Sequence, residues 1–222
     1  NAARNAWLNA RTSYLQTEAF RFYEGPIDFV DEKTGEEGPE GRLNAWPLNE
    51  GFIDYVDGNP KAGIINDTSI EITAASIREN DQVEDEADVP TGFHAIEFLL
   101  WGQDMNPTSP GDRPYTDFVP GKDNNDRRRL YLQTITEMLV ADLDWLATAW
   151  NASDPDSYAA KFKSYSDREG LGRILTSLAT LSEFELALER IATSLDSGDQ
   201  EDEQSCFSDN TLNDIIFDQR GI

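Results

Sequence analysis

The histidine His94 lies three residues before Glu97, in a segment that is apolar on nearly every side. In a helix, side chains three residues apart lie on the same face, so this pair can share one metal ion or one hydrogen bond. Trp101 extends the same face. A buried glutamate must be paired, protonated or bound to a metal. Because the His-x-x-Glu spacing also arises by chance, and a single histidine is often a packed core residue, the spacing leaves a functional and a structural role equally open.

Glutamates also occupy positions where the helices of a bundle core would carry apolar residues. The helix predicted for residues 166–195 has a stripe of leucines that we expect to be buried, Leu171, Leu175 and Leu178. Continuing this stripe by nearly four helical turns leads to Glu185 and Glu189. Glu18 lies within the aromatic stripe of the helix predicted for residues 2–23. Helical bundles build metal sites from such inward side chains. The alternatives are that the stripe has reached the surface, or that arginines such as Arg190 neutralise the glutamates.

Helical periodicity dominates the chain and predicts an all-α bundle with long connecting loops. The predicted helices cover residues 2–23, 67–78, 91–102, about 130–150, and 166–195. Residues 103–125 carry four prolines and two glycines, which indicates a long structured loop. No stretch of useful length alternates as a β-strand would.

The net charge excludes some classes of partner and favours others. With 43 acidic and 18 basic residues, the formal charge is −25, which argues against binding nucleic acid. A negative electrostatic field of this size attracts cations, although so many acidic residues also make the protein more soluble. We therefore expect a metal cation or a metal chelate as the ligand.

Other reactive arrangements are disfavoured. One histidine cannot supply the paired ligands of a His-Glu-x-x-His zinc site. The single cysteine, Cys206, allows no intramolecular disulfide and is better read as a buried small residue than as a nucleophile. No run of 18 apolar residues could span a membrane. The chain opens without methionine inside a predicted helix, so we expect a processed or trimmed piece of a longer product, for which a signal peptide or lipid anchor in the missing N-terminus is possible.

Several segments together resemble one known family. Residues 92–97 read Gly-Phe-His-Ala-Ile-Glu, and residues 98–104 read Phe-Leu-Leu-Trp-Gly-Gln-Asp. The first fits the Gly-x-His-x-x-Glu signature of the imelysin family, also called imelysin-like or iron-regulated protein A-like. Further segments that resemble the family are residues 17–22, 25–28, 44–48, 53–56, 185–190 and 201–211. Gln204 and Leu212 stand where many relatives have histidine, so any role of those histidines does not carry over.

The resemblance implies a single imelysin-like helical domain over residues 1–222, built as two related four-helix bundles with approximate halves 1–124 and 125–222. It implies a location in the periplasm or attached to the outer membrane, together with partners in iron uptake. Iron is the favoured metal and zinc is possible. The expected metal ligands are His94, Glu97, Glu18, Asp104, Glu185 and Glu189. Further expected site residues are Arg21, Trp101, Ser208 and Asp209.

Three functions remain open from the sequence. The leading hypothesis is a non-enzymatic protein of the cell envelope that binds iron and serves its uptake. The second is a metallopeptidase of the imelysin type, since some members carry that label. The third is a structural or binding partner in an envelope assembly, in which His94 and Glu97 only join helices.

Overall fold

A computed structural model describes residues 1–35, 37–83 and 85–222. The α-helices are α1 (Ala2–Leu15), α2 (Glu40–Leu43), α3 (Glu50–Ile53), α4 (Gly63–Asn66), α5 (Ala74–Glu79), α6 (Gly92–Trp101), α7 (Asn125–Ala149), α8 (Tyr158–Ser164), α9 (Asp167–Thr180), α10 (Thr193–Ser197) and α11 (Thr211–Gly221). A π-helical segment, Leu181–Ala192, joins α9 to α10. Over these described ranges no β-strand forms, only two isolated β-bridges. The all-α class is confirmed.

The chain packs as two compact units, each assembled from three stretches of sequence. Unit 1 comprises residues 1–8, 42–140 and 204–210. Unit 2 comprises residues 9–41, 141–203 and 211–222. The description as a single domain with approximate halves 1–124 and 125–222, and as two related four-helix bundles, stays a prediction.

Helix α6 is the buried centre of unit 1, as the sequence predicts. Nine of its ten residues are buried, all except Leu100. Its first residue, Gly92, has φ +88°, and a Cβ there would lie 2.7 Å from the carbonyl oxygen of Leu43. Only glycine adopts this backbone angle and allows so close an approach without strain. The first residue of the Gly-x-His-x-x-Glu signature is thus explained by backbone packing.

A buried ionic cluster stabilises the loops beside α6 in unit 1. Asp54 is fully buried and accepts hydrogen bonds from Arg113 (2.7 Å to Oδ2) and from Arg128 (2.8 Å to Oδ1). Arg113 also lies over the ring of Phe98, which is an α6 residue, at 5.1 Å. Because guanidinium groups donate to both oxygens of Asp54, the carboxylate can be buried without losing its hydrogen bonds.

Two helix predictions were wrong in their boundaries. The first helix ends at Leu15, because Thr17 follows it and its Oγ1 donates to the Tyr14 carbonyl oxygen at 2.6 Å. The helix predicted for residues 67–78 begins only at Ala74. Before it, Arg127 donates to the carbonyl groups of residues 67 and 70 at 2.8 Å and so favours a loop there. Arg127 also donates to the carbonyl groups of residues 64 and 65 in α4.

The long helical run of unit 2 corrects the predicted leucine stripe. Leu171 and Leu175 are 56% and 57% exposed, so the stripe that they begin does not face a core. The extrapolation by 14 residues assumed α-helical periodicity throughout, but the π segment has a wider turn and changes which residues share a face. Leu181, Leu186 and Arg190 are its buried residues. Over the described ranges, no helix is both long enough and apolar enough to cross a membrane.

Candidate functional site

His94 and Glu97 form a hydrogen-bonded pair inside unit 1. Nδ1 of His94 lies 2.9 Å from Oε2 of Glu97, and both side chains are fully buried. The spacing along α6 produces this contact, since residues three apart lie on one helical face. A carboxylate at Nδ1 favours a proton on that nitrogen and leaves Nε2 as the nitrogen with the lone pair. Of the two uses predicted for the pair, the structure shows the hydrogen bond.

Ser208 holds the other oxygen of Glu97. Its backbone N–H donates to Oε1 at 3.0 Å, and its hydroxyl donates to the same oxygen at 2.6 Å. The backbone next to Ser208 is held by the N–H of Gly111, which donates to the carbonyl oxygen of Phe207 at 3.0 Å. Glu97 therefore bridges His94 and Ser208, in the way that outer carboxylates orient histidines at metal centres.

Aromatic side chains surround the imidazole. The ring of Trp46 lies 5.2 Å from the ring of His94, and Phe207 packs against both Trp46 and Phe98. Trp101, predicted as a site residue, is buried at the end of α6, where its ring lies 5.4 Å from that of Trp7. His94 itself is 1% exposed, so any ligand reaches it only when covering side chains move.

Asp104 and Asp209 have local contacts in unit 1. Asp104 is buried, and its Oδ1 accepts a hydrogen bond from the backbone N–H of Asn106 at 2.9 Å. Asp209 is exposed and has φ +54°, a left-handed angle that aspartate tolerates better than most residues. Over residues 1–35, 37–83 and 85–222, no group of three or more His, Cys, Asp and Glu side chains is placed to hold a metal ion.

Comparison with known proteins decides the family. The family model described as Imelysin, which carries the label Peptidase M75, matches residues 1–222. The chain belongs to the imelysin family. It is also 27% identical over 222 residues to iron-regulated protein A of Synechococcus elongatus, an alignment that covers 96% of this chain and 49% of that protein. The imelysin chain thus spans about half the length of this curated relative.

The remaining predicted ligands lie in unit 2, where arginines contact two of them. Glu18 is fully buried, with Oε2 2.6 Å from a terminal nitrogen of Arg190. Glu185 lies 3.5 Å from Arg190 and 3.4 Å from Arg21. Glu189 is exposed. The alternative that arginine neutralises the glutamates therefore fits Glu18 and Glu185, and we do not carry these two carboxylates into a metal site.

Arg21, also predicted as a site residue, joins a mixed set of carboxylates in unit 2. It lies 2.9 Å from Asp28 and 3.3 Å from Glu40. Burial raises the pKa of Glu40 to about 7, against the opposing effect of Arg21.

Two further buried carboxylates of unit 2, Asp214 and Asp218, were not predicted from the sequence. Their i, i+4 spacing on the terminal helix was the available signal.

The arrangement in unit 1 joins one serine, one carboxylate and one imidazole. Ser208 donates its hydroxyl to Glu97, whose other oxygen lies against His94. The imidazole is oriented by a carboxylate, and imidazole suits iron and zinc. The described residues of unit 1 offer one oriented imidazole for a metal, with no complete ligand set around it.

Proposed function

We propose that this chain is an iron-binding protein of the cell envelope that serves iron uptake without catalysis. The observation that carries the proposal is the His94–Glu97–Ser208 arrangement. A buried imidazole with one nitrogen held by a carboxylate is oriented to offer its other nitrogen to a metal. The relative named iron-regulated protein A supports iron as the metal, and the family resemblance supports a periplasmic or outer-membrane-attached location.

Iron in this proposal is cargo, and it arrives with part of its coordination already filled. Because the described residues bring together no set of three metal-binding side chains, His94 supplies one ligand while water or a chelator supplies others. The charge of −25 disfavours anionic chelates and favours free cations or neutral complexes. Ferrous ions and ferric nitrilotriacetate, whose trianionic chelator offsets the charge of Fe³⁺, are therefore suitable probes.

The test is calorimetric titration of the purified chain with each probe. We expect saturable binding by the wild type and its loss in His94→Ala. The matched control is Glu185→Gln, which removes a carboxylate that contacts arginine in unit 2 and should leave binding unchanged. Equal binding by wild type and His94→Ala would refute the proposed site. Weakened binding by Glu185→Gln would return that residue to the ligand set.

A metallopeptidase is the second candidate, and the family label Peptidase M75 favours it. The proposal predicts that the chain alone cleaves no denatured protein. Cleavage of denatured casein that a chelator inhibits and that Glu97→Ala abolishes would make the peptidase the leading function.

A structural role is the third candidate, favoured by the complete burial of His94 and Glu97 and by the bonds to Ser208. Under this reading, His94→Ala would lower the free energy of unfolding while the wild type binds neither probe. The same titrations therefore separate all three candidates when unfolding is measured beside them.

A further inference from the structure

Asp218 of α11 is buried at a position that offers too few hydrogen-bond donors for an ionised carboxylate. Its side chain is fully buried. Oδ2 accepts a hydrogen bond from a terminal nitrogen of Arg190 at 2.6 Å. Oδ1 is also buried and has no hydrogen-bond partner in the part of the chain that the structure describes. A charged oxygen without a donor in such surroundings is much more costly than a neutral acid.

Arg190 is shared between two buried carboxylates. One terminal nitrogen contacts Asp218, and the other lies 2.6 Å from Oε2 of Glu18, which is equally buried. Glu185 approaches the same guanidinium at 3.5 Å and is partly exposed. Arg190 therefore lies between two fully buried carboxylates, and Arg21 is a further cation that acts on Glu18. The repulsion between the two carboxylates favours neutralising one of them.

The neighbouring buried ion pair does not correct this imbalance. Arg11 of α1 lies 2.6 Å from Asp214 of α11, and both side chains are fully buried. The charges of this pair cancel. Asp218 is thus acted on by two other buried carboxylates, Glu18 and Asp214, and by the guanidinium groups of Arg190 and Arg11, while Arg21 acts on Glu18.

Electrostatics selects Asp218 as the group that takes up a proton. Burial and the charge of Glu18 raise the pKa of Asp218 to about 8, while Arg190 and Arg11 act in the opposite direction and Asp214 adds to the rise. Arginine keeps its proton under all these conditions, so it cannot supply the missing charge balance.

We propose that Asp218 holds a proton that stabilises unit 2, and that loss of this proton weakens the packing of α11 against the 3₁₀ turn Glu18–Phe20 and the π segment. These elements enclose a small apolar cluster, Ala19, Leu181 and Leu186, with Phe22, Leu178 and Ile222 packed against it. When Asp218 is ionised, its charge repels that of Glu18 on the other side of Arg190. Because Asp218 is part of α11, this repulsion acts on α11. This protonation makes the stability of unit 2 depend on pH around neutrality.

The direction of the pH effect follows from linkage. The pKa of Asp218 is about 8 in the folded chain and about 4 in the unfolded chain. Between these values the folded state holds one more proton than the unfolded state, so stability falls as pH rises through this window. The unfolding equilibrium constant should increase by up to about tenfold per pH unit from this group alone.

The test compares the wild type with Asp218→Asn, which copies the shape and neutrality of the protonated acid. Denaturant unfolding at several pH values between about 5.5 and about 8.5 spans the upper part of the window. We expect the unfolding constant of the wild type to rise steeply relative to that of the variant, so that the variant is the more stable protein at the alkaline end. Glu40 also titrates near neutrality but is present in both proteins, so the difference isolates Asp218.

The matched control is Asp214→Asn, four residues earlier on α11. It removes the partner of Arg11 from a balanced pair and should destabilise the chain at every pH. If Asp218→Asn behaves like this control, or does not fold at the acidic end, Asp218 is an ordinary ionised partner of Arg190 and the proposal fails. A difference between wild type and Asp218→Asn that does not change with pH would also overturn it.

Discussion

At the scale of single residues, Glu97 contacts His94 with one carboxylate oxygen and Ser208 with the other. Each of its oxygens has a defined partner, with His94 on Oε2 and Ser208 on Oε1. A carboxylate held on both sides cannot rotate away from the imidazole, so the ring is fixed before a ligand arrives. Ser208 is thus a positioning residue for His94, although its side chain lies on the far side of Glu97.

Ser208→Ala should weaken iron binding without abolishing it. The backbone N–H of residue 208 still donates to Glu97, but the 2.6 Å hydroxyl bond is lost. Loss of an outer partner of this kind typically costs about tenfold in metal affinity. Calorimetric titration with ferric nitrilotriacetate checks this, with Ser153→Ala, in an exposed loop of unit 2, as the control. An unchanged affinity in Ser208→Ala would show that Glu97 does not need the hydroxyl.

At the scale of elements, the sequence predicted best those helices that keep α-helical geometry along their whole length. Helix α6 is apolar on all sides and buried on nearly all sides, and α7 follows α-helical periodicity throughout, so both were found. The leucine stripe was wrong within α9 itself, where Leu171 and Leu175 are exposed, and its extension crosses the π segment, which changes the periodicity. Residues 67–73 failed because Arg127, about 60 positions away, binds their carbonyl groups, which no local pattern reveals.

The candidate site was predictable to the extent that it depends on one helix. The contact between His94 and Glu97 follows from their spacing. The hydroxyl bond from Ser208 crosses 111 positions, and only the family resemblance marked that residue. The arginine partners of Glu18 and Glu185 were an alternative reading of the sequence, since composition does not show which charges meet.

Gly92→Ala should destabilise the chain by at least about 2 kcal/mol, because it strains a residue at positive φ and adds a clash. The new Cβ would lie 2.7 Å from the Leu43 carbonyl oxygen. Gly41→Ala is the matched control, since a Cβ there meets nothing within 4 Å. That control should be neutral or stabilise by about 0.5 kcal/mol. Denaturant unfolding measures both, and a Gly92→Ala variant as stable as the wild type would contradict the explanation of the signature glycine.

At the scale of the whole molecule, the charge of −25 raises the local concentration of cations around the chain. It does so without regard to the metal, so it affects encounter more than selectivity. Selectivity in this account comes from the oriented imidazole of His94. The two contributions respond differently to salt, which allows them to be separated.

Ferrous binding should weaken several-fold when ionic strength rises from about 0.01 M to about 1 M, because the Debye length falls from about 30 Å to about 3 Å. Binding of ferric nitrilotriacetate, whose net charge is zero or slightly negative, should not weaken over the same range, since the long-range field of the acidic chain does not attract this complex. Titrations at several salt concentrations measure this. An equally steep salt dependence for both probes would mean that the charge of the chain, and not the site, determines binding.

The central claim is that His94 itself ligates iron, and X-ray absorption spectroscopy at the iron edge tests it most directly. The wild type loaded with ferric nitrilotriacetate should show the scattering of one imidazole ligand in addition to the oxygens and nitrogen of the chelator. His94→Ala treated in the same way should lack that imidazole contribution. Identical spectra from the two proteins, with no imidazole in either, would contradict the account.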